Sequence, residues 1–256
     1  MNQNNPTIDW NDRFGRQAEW TKPVRDFLAK QLGITNSSLI LEVGCGTGVI
    51  LRDLHDYSMC IPFGIDIDFS RLSIASEQGE RQYLSCADGY FLPFPSNTFD
   101  FVVFHYLLLW IKHPQNLFSS ILRVLKPGGT VIAFAEPDYQ SRVEYPEEFE
   151  QFGTIQTDSL IQQGIDSKIG RKLPGLLSIS DFNEIQYGIS GFQNQTRIIS
   201  NDRDSEWTIL NEDLRHTFTQ QMLDEYEKMD EFSRLNGSRV SWVPTFYAFG
   251  KKAITN

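Results

Sequence analysis

The sequence predicts an α/β fold in which a mostly parallel sheet lies between helices. Two observations carry this. Short apolar runs alternate with segments of helical periodicity across residues 39–135, and strand–helix alternation with short connections calls for parallel strands joined by right-handed crossovers. The run Leu39–Val43 also passes directly into three glycines at every second position, Gly44, Gly46 and Gly48. Glycine tolerates positive φ and lacks Cβ, so a ligand can approach the backbone in such a strand-to-helix turn. The edge of a parallel sheet is where α/β proteins hold nucleotide-like ligands.

The elements follow in order. Residues 1–9 read as frayed. Residues 14–32 read as an amphipathic helix carrying Trp20, Val24, Phe27, Leu28 and Leu32, closed by Gly33. Leu39–Val43 is a strand, and a helical pattern starts at Val49. Ile61–Asp66 is a strand, Ser70–Glu77 a helix and Gln82–Cys86 a short strand. Phe99–Phe104 is an almost unbroken apolar run, as expected of a strand covered on both faces. Pro114–Leu125 is a helix with Leu117, Phe118, Ile121, Leu122 and Leu125 on one side. Pro127-Gly-Gly129 is a turn and Thr130–Ala135 a buried strand. Residues 138–170 are polar, without a strand signal. Leu173–Ile179 reads as a helix, Glu184–Ser190 as a strand, 204–233 as a long helix and Pro244–Gly250 as a closing strand. No linker or repeat appears, so a single domain over 1–256 is expected, with 138–180 as a helical insertion over the sheet edge.

Composition narrows the function. Of 256 residues, 40% are hydrophobic and 22% charged, which is globular. The net charge of −10 repels phosphate backbones and argues against nucleic-acid partners. Cys45, Cys60 and Cys86 make an odd count without CxxC spacing, pointing to reduced thiols and no metal site. The start, Met1-Asn-Gln-Asn-Asn-Pro, is too polar for a signal-peptide core, and Phe101–Ile111 is too short to span a bilayer. A cytoplasmic protein without membrane insertion, monomer or homodimer, is expected.

The glycine turn discriminates between cofactors. A dinucleotide site wants G-x-G-x-x-G, and here Val49 stands at the third glycine position. Acids surround the turn instead: Glu42 before it, Asp66 at the tip of the second strand and Asp88 after the third. A carboxylate at a strand tip accepts hydrogen bonds from vicinal ribose hydroxyls. An acidic surround suits a cationic ligand better than a pyrophosphate.

Four blocks, Leu41-Glu-Val-Gly-Cys-Gly-Thr-Gly48, Gly64-Ile-Asp-Ile-Asp68, Ala87–Asp100 and Arg123–Gly129, occur in order. In these the chain resembles the class I S-adenosylmethionine (SAM)-dependent methyltransferases, most of all the small-molecule branch related to ubiquinone/menaquinone biosynthesis (type 11) enzymes. The resemblance covers roughly residues 38–136. It implies a three-layer, Rossmann-like, seven-stranded, mostly parallel sheet with a reversed final strand, SAM across the strand ends and S-adenosylhomocysteine as product. It further implies that Gly44, Cys45 and Gly46 approach the methionine part and that Glu42 orients that loop or meets the methionine amino group through water. Asp66 would hold the ribose, Ile67 would pack on adenine, and Asp88 and Gly89 would meet the adenine amino group. His105 would approach the methionine moiety or methyl group, and the N-terminal helix (residues 1–35) would act as a lid whose Arg16, Gln17 and Trp20 line the cofactor. Where many relatives carry a His-His pair, this chain has Leu109-Trp110.

Several residues keep two readings. His105 reads equally as a hydrogen-bonded structural histidine. Glu136 and Asp138 sit past the fifth strand as candidates for substrate binding or general base, against solvated loop acids. Gly170-Arg171-Lys172 caps a helix or meets an anionic group, the first being favoured. Cys45 reads as a small residue turned away from the ligand. Phe149, Phe152, Trp207, Phe218 and Tyr226 suggest an apolar or aromatic acceptor, yet the same residues would serve a core. The reading is therefore methyl transfer to a small molecule, with His105 and Glu136 as catalytic candidates. A non-catalytic SAM-binding protein and a NAD-dependent oxidoreductase are the alternatives.

Overall fold

Strand residues alternate between two buried faces, and this alternation builds the layers. The computed structural model describes residues 10–78, 82–190, 207, 210, 211, 214, 215 and 217–254. Its elements are α1 (Trp10–Gln31), β1 (Leu39–Val43), α2 (Val49–Ser58), β2 (Ile61–Asp66), α3 (Phe69–Gln78), β3 (Tyr83–Cys86), β4 (Phe99–His105), α4 (Pro114–Val124) and β5 (Leu125–Pro137). Then come β6 (Val143–Tyr145), α5 (Glu148–Gln162), α6 (Ile169–Ser178), β7 (Phe182–Ser190), α7 (Gln220–Leu235), β8 (Val240–Trp242) and β9 (Thr245–Lys252).

Seven strands form one sheet in the order β3-β2-β1-β4-β5-β9-β7. Pairings from β3 to β5 are parallel. The final strand, β9, runs antiparallel to both β5 and β7. On one face Leu41, Val43, Val102, Phe104, Val131 and Ala133 pack with Leu117, Phe118 and Ile121 of α4 and Leu173 and Leu177 of α6. On the other face Ile40, Phe101, Val103, Ile132 and Phe134 pack with Ala18, Leu28 and Ala29 of α1 and Ile50 and Leu54 of α2. Consecutive strand residues point to opposite faces, and both faces are dry, which explains the unbroken apolar runs.

Four local expectations are corrected. Pro127-Gly-Gly129 falls inside the span of β5, where pairing jumps from Phe99↔Leu125 to Phe101↔Thr130 and Gly128 takes φ 78. The turn survives as a bulge. Residues 138–170 hold the short strand β6, paired antiparallel with β8. Its buried centre is Glu144 while Val143 and Tyr145 are exposed, the reverse of the usual polarity. The segment 204–233 is not one helix: Thr219 is extended (ψ 155), and its Oγ1 accepts the Met222 N–H at 3.3 Å to start α7. Part of that segment, and residues 1–9, lie outside the described residues. The helix expected at 173–179 begins earlier, at Ile169.

Phe149 and Phe152 of α5, Leu223 and Tyr226 of α7, and Trp207, Leu214 and Phe218 form a separate aromatic cluster. Beneath it, Glu144 accepts from Arg142 Nε at 2.9 Å and Arg239 Nη1 at 2.7 Å. Asp230 accepts from Arg234, Arg239 and the Trp207 indole. The five aromatics singled out in the sequence thus pack on one another, and their presence reflects a core. By contrast α6 packs on the sheet itself, in contact with β5, β7 and β9.

Candidate active site

The turn after β1 is built by backbone conformation and by one carboxylate. Gly44, Gly46 and Gly48 have φ of 73, 52 and 72, the left-handed region that suits glycine. A Cβ on Gly44 would stand 2.7 Å from Leu107 Cδ1, and one on Gly46 2.9 Å from Phe14 Cε2. The Gly44 and Cys45 amides donate to the Ile65 carbonyl at 2.8 and 2.9 Å. The Gly46 amide donates to Asp66 Oδ2 at 2.8 Å, and Asp66 Oδ1 accepts the Asp68 amide at 2.9 Å. Asp66 therefore ties the glycine turn to the tip of β2.

Cys45 is buried and packs with Leu51, Leu72 and Leu84, and burial pushes its thiol up. Glu42 is buried below the turn, and its Oε2 has no hydrogen-bond partner. Burial raises its carboxyl well above the usual range and Asp66 adds to this, while Arg25 and Arg52 oppose it. Ile67, beside Asp66, is 73% exposed. Asp88 comes within reach because the Ala87 amide donates to the Asp66 carbonyl at 3.0 Å. Its Oδ1 accepts the Tyr90 amide at 2.9 Å and caps the short turn Gly89–Phe91. A Cβ on Gly89 would meet Leu117 and Val43 at 3.0 Å, so close packing alone explains that glycine.

Helix α1 lies along the turn. Phe14 reaches Gly46, and Thr21 and Arg25 follow at helical spacing. Arg25 is 1% exposed; it donates to the Ala18 carbonyl at 2.6 Å and Thr21 Oγ1 at 2.5 Å, and pairs with Asp53 of α2. Thr21 Oγ1 also lies 2.8 Å from His105 Nε2. Burial, reinforced by the Arg25 charge, holds His105 well below the ordinary imidazole value. Gln17 is partly buried on this stretch, and its carbonyl accepts from Thr21. Trp20 is half exposed, and Arg16 bridges to Asp12 at 3.1 Å.

At the end of β5, Glu136 is fully buried, and its Oε1 accepts the amides of Leu107 and Leu108, each at 2.9 Å. Asp138 is also buried, but it is paired with Arg171 of α6, which donates to Oδ1 at 2.8 Å. Lys172 pairs with Asp166 at 2.5 Å. The basic cluster thus serves α6. Sequence reasoning missed Thr21, Arg25, Leu107 and Tyr106. The last is partly buried with φ 51, an uncommon conformation for a bulky residue, and its hydroxyl is 3.5 Å from Thr245 Oγ1. Among the described residues, no three His, Cys, Asp or Glu side chains group as a metal site.

A family model described as a methyltransferase domain matches residues 41–133. An uncharacterised methyltransferase of Schizosaccharomyces pombe is 31% identical over 158 residues, 56% of this chain and 55% of that protein. Demethylmenaquinone methyltransferase of Tropheryma whipplei is 30% identical over 145 residues, 52% of this chain and 57% of that protein. The chain thus spans just over half the length of these curated relatives. Phosphoethanolamine N-methyltransferase 2 of Haemonchus contortus, solved with SAM, shares the fold at TM-score 0.59 and 17% identity, covering 96% of this chain and 58% of that one.

Proposed function

We propose that this chain is a class I methyltransferase that transfers a methyl group from SAM to a small acceptor, with S-adenosylhomocysteine as product. The observation that carries the reading is the unpartnered Oε2 of Glu42, buried beneath a turn whose glycines leave the backbone accessible. A cationic ligand end would give that oxygen the partner it lacks and favour the charged carboxylate. A pyrophosphate would not.

The residues present fit SAM. Gly44, Cys45 and Gly46 would border its methionine part. Each Asp66 oxygen already accepts one amide and keeps a second lone pair for a ribose hydroxyl. Exposed Ile67 would cover adenine, and Asp88 with Gly89 would meet its amino group. Gln17 and Trp20 of α1 would close the site from above. When bound, SAM supplies a methyl group already made electrophilic by its sulfonium sulfur. The chain's own task is then to align the acceptor and exclude water. For an oxygen acceptor His105 is the candidate base, held neutral by its burial.

Tyr106, Tyr139 and half-exposed Trp110 stand at the ends of β4 and β5 and support an apolar or aromatic acceptor. Its three free cysteines suit a cytoplasmic setting. No described helix is long and apolar enough to cross a membrane.

Parallel calorimetric titrations with SAM and NAD test the cofactor. Binding of SAM alone is expected, and binding of NAD alone would end the reading. Labelled-methyl transfer to a panel of small acceptors then tests turnover against the non-catalytic alternative.

A further inference from the structure

The chain leaves β4 through a reversal that its own backbone does not satisfy. Pairing with β5 shifts register between Phe104 and His105, and the Tyr106 amide still reaches the Ala135 carbonyl at 2.8 Å. Tyr106 then turns left-handed at φ 51. The next two amides, of Leu107 and Leu108, both end on Glu136 Oε1. Buried amides need acceptors, and a carboxyl oxygen has two lone pairs, so this one atom serves both. The same turn presses Leu107 against Gly44, 2.7 Å from where a Cβ would stand, and fixes the exit of His105 toward Thr21.

We infer that Glu136 is a positioning residue: its carboxyl grips the turn after β4, holds Leu107 against the glycine turn and His105 toward Thr21, and takes no proton from the acceptor. Oε1 is saturated by the two amides. Oε2 is buried and has no partner. Burial pushes the carboxyl up to about 8, against the pull of the Leu108 and Leu107 amides. With Oε1 occupied and the whole side chain buried, the carboxyl presents no exposed oxygen to an acceptor.

Among the described residues, none packed against it supplies a cation. β4 and its turn bring Tyr106, next to Tyr139, both uncharged at neutral pH. β9 brings Phe246 and Thr245. α6 brings Gly170 against the Glu136 carbonyl, while Arg171 and Lys172 turn to Asp138 and Asp166. Asp138 itself is held by Arg171.

This inference rests on the methyltransferase reading only where turnover is measured, so the test also uses the full chain without SAM. The Leu107 and Leu108 amide resonances are followed from pH 6 to 9 in the wild type, Glu136→Gln and Glu136→Ala. Both resonances are expected to report one titration in the wild type, to stay in place without it in Glu136→Gln, and to move in Glu136→Ala. A glutamine keeps a carbonyl acceptor, so Glu136→Gln should retain SAM affinity and turnover within about threefold, whereas loss of a general base removes ~100-fold or more. Turnover lost in Glu136→Gln with SAM affinity intact would overturn the inference. So would Leu107 and Leu108 resonances that stay in place in Glu136→Ala. Should Glu136→Ala fail to fold, the glutamine variant still decides. Absence of SAM binding by the wild type would instead remove the methyltransferase reading and leave the amide result standing.

Discussion

Thr21 Oγ1 lies 2.8 Å from His105 Nε2 and joins the covering helix α1 to the end of β4. His105 stays neutral because burial, and then the Arg25 charge, disfavour the imidazolium. Its pKa in the fold is depressed below the ordinary 6.5. This group therefore contributes stability that is present above 6.5 and lost as pH falls, because the unfolded chain takes up a proton that the fold refuses. The melting temperature is expected to fall on going from pH 7.5 to about 5, by less in His105→Gln than in the wild type. Equal slopes in calorimetric scans would remove His105 from this linkage. Thr21→Val, which strands the ring nitrogen, should lower stability by about 1 kcal/mol and weaken SAM binding several-fold if α1 closes the site.

Asp66 has two tasks, because its oxygens hold the amides of Gly46 and Asp68 while facing the proposed ribose site. Asp66→Ala should weaken SAM binding at least about tenfold, since charge-assisted hydrogen bonds are worth roughly 1.5–3 kcal/mol. Asp66→Asn should weaken it too, because an amide nitrogen cannot accept from one of those backbone donors. Calorimetry measures both, and an unchanged affinity in both variants would exclude Asp66 from the cofactor site.

Much of this was legible in the sequence, and what was missed has a common cause. The sheet was legible because strands covered on both faces write unbroken apolar runs, as at Phe101–Phe104. The places of Glu42, Asp66 and Asp88 were legible because each is tied to a strand: Glu42 inside β1, Asp66 at the tip of β2 and Asp88 just past β3. Arg25 was not: a lone arginine on an apolar helix reads as solvent-facing, and its partner Asp53 is 28 residues away. Glu136 was found, but its double acceptor role depends on a turn 28 and 29 residues earlier. Strand β6 was hidden because three residues are too few for a period and its polar centre faces inward.

Glycines separate a site requirement from mere tolerance. At Gly46 a Cβ would combine φ 52 with a 2.9 Å approach to Phe14. Gly46→Ala is therefore expected to cost about 1–2 kcal/mol from backbone conformation alone, to displace α1 and to reduce SAM affinity. Gly175 in α6 has nothing within 4 Å of its would-be Cβ. Gly175→Ala should raise stability by roughly 0.5–1 kcal/mol and leave affinity unchanged. Denaturant melts with SAM titrations check the pair, and equal effects of the two variants would contradict the assignment.

Arg239 locks the module above the sheet edge. It bridges Asp230 and Glu144, each at 2.7 Å, and its guanidinium lies 3.9 Å from the centre of the Phe149 ring. Burial alone would raise the Asp230 carboxyl, yet Arg234 and Arg239 hold it below its ordinary value. Removing one partner from a buried network leaves charge uncompensated, at a cost of about 3–5 kcal/mol in dry sites. Arg239→Met should therefore loosen α5, α7 and the β6–β8 pair without unfolding the main sheet, whose core clusters take only Leu160 from these elements. Hydrogen exchange is the direct measurement: amides of α5 and α7 should exchange on the order of 100-fold faster, and those of β1 and β4 should not change. Uniform acceleration across the sheet would mean that the module and the sheet unfold as one unit.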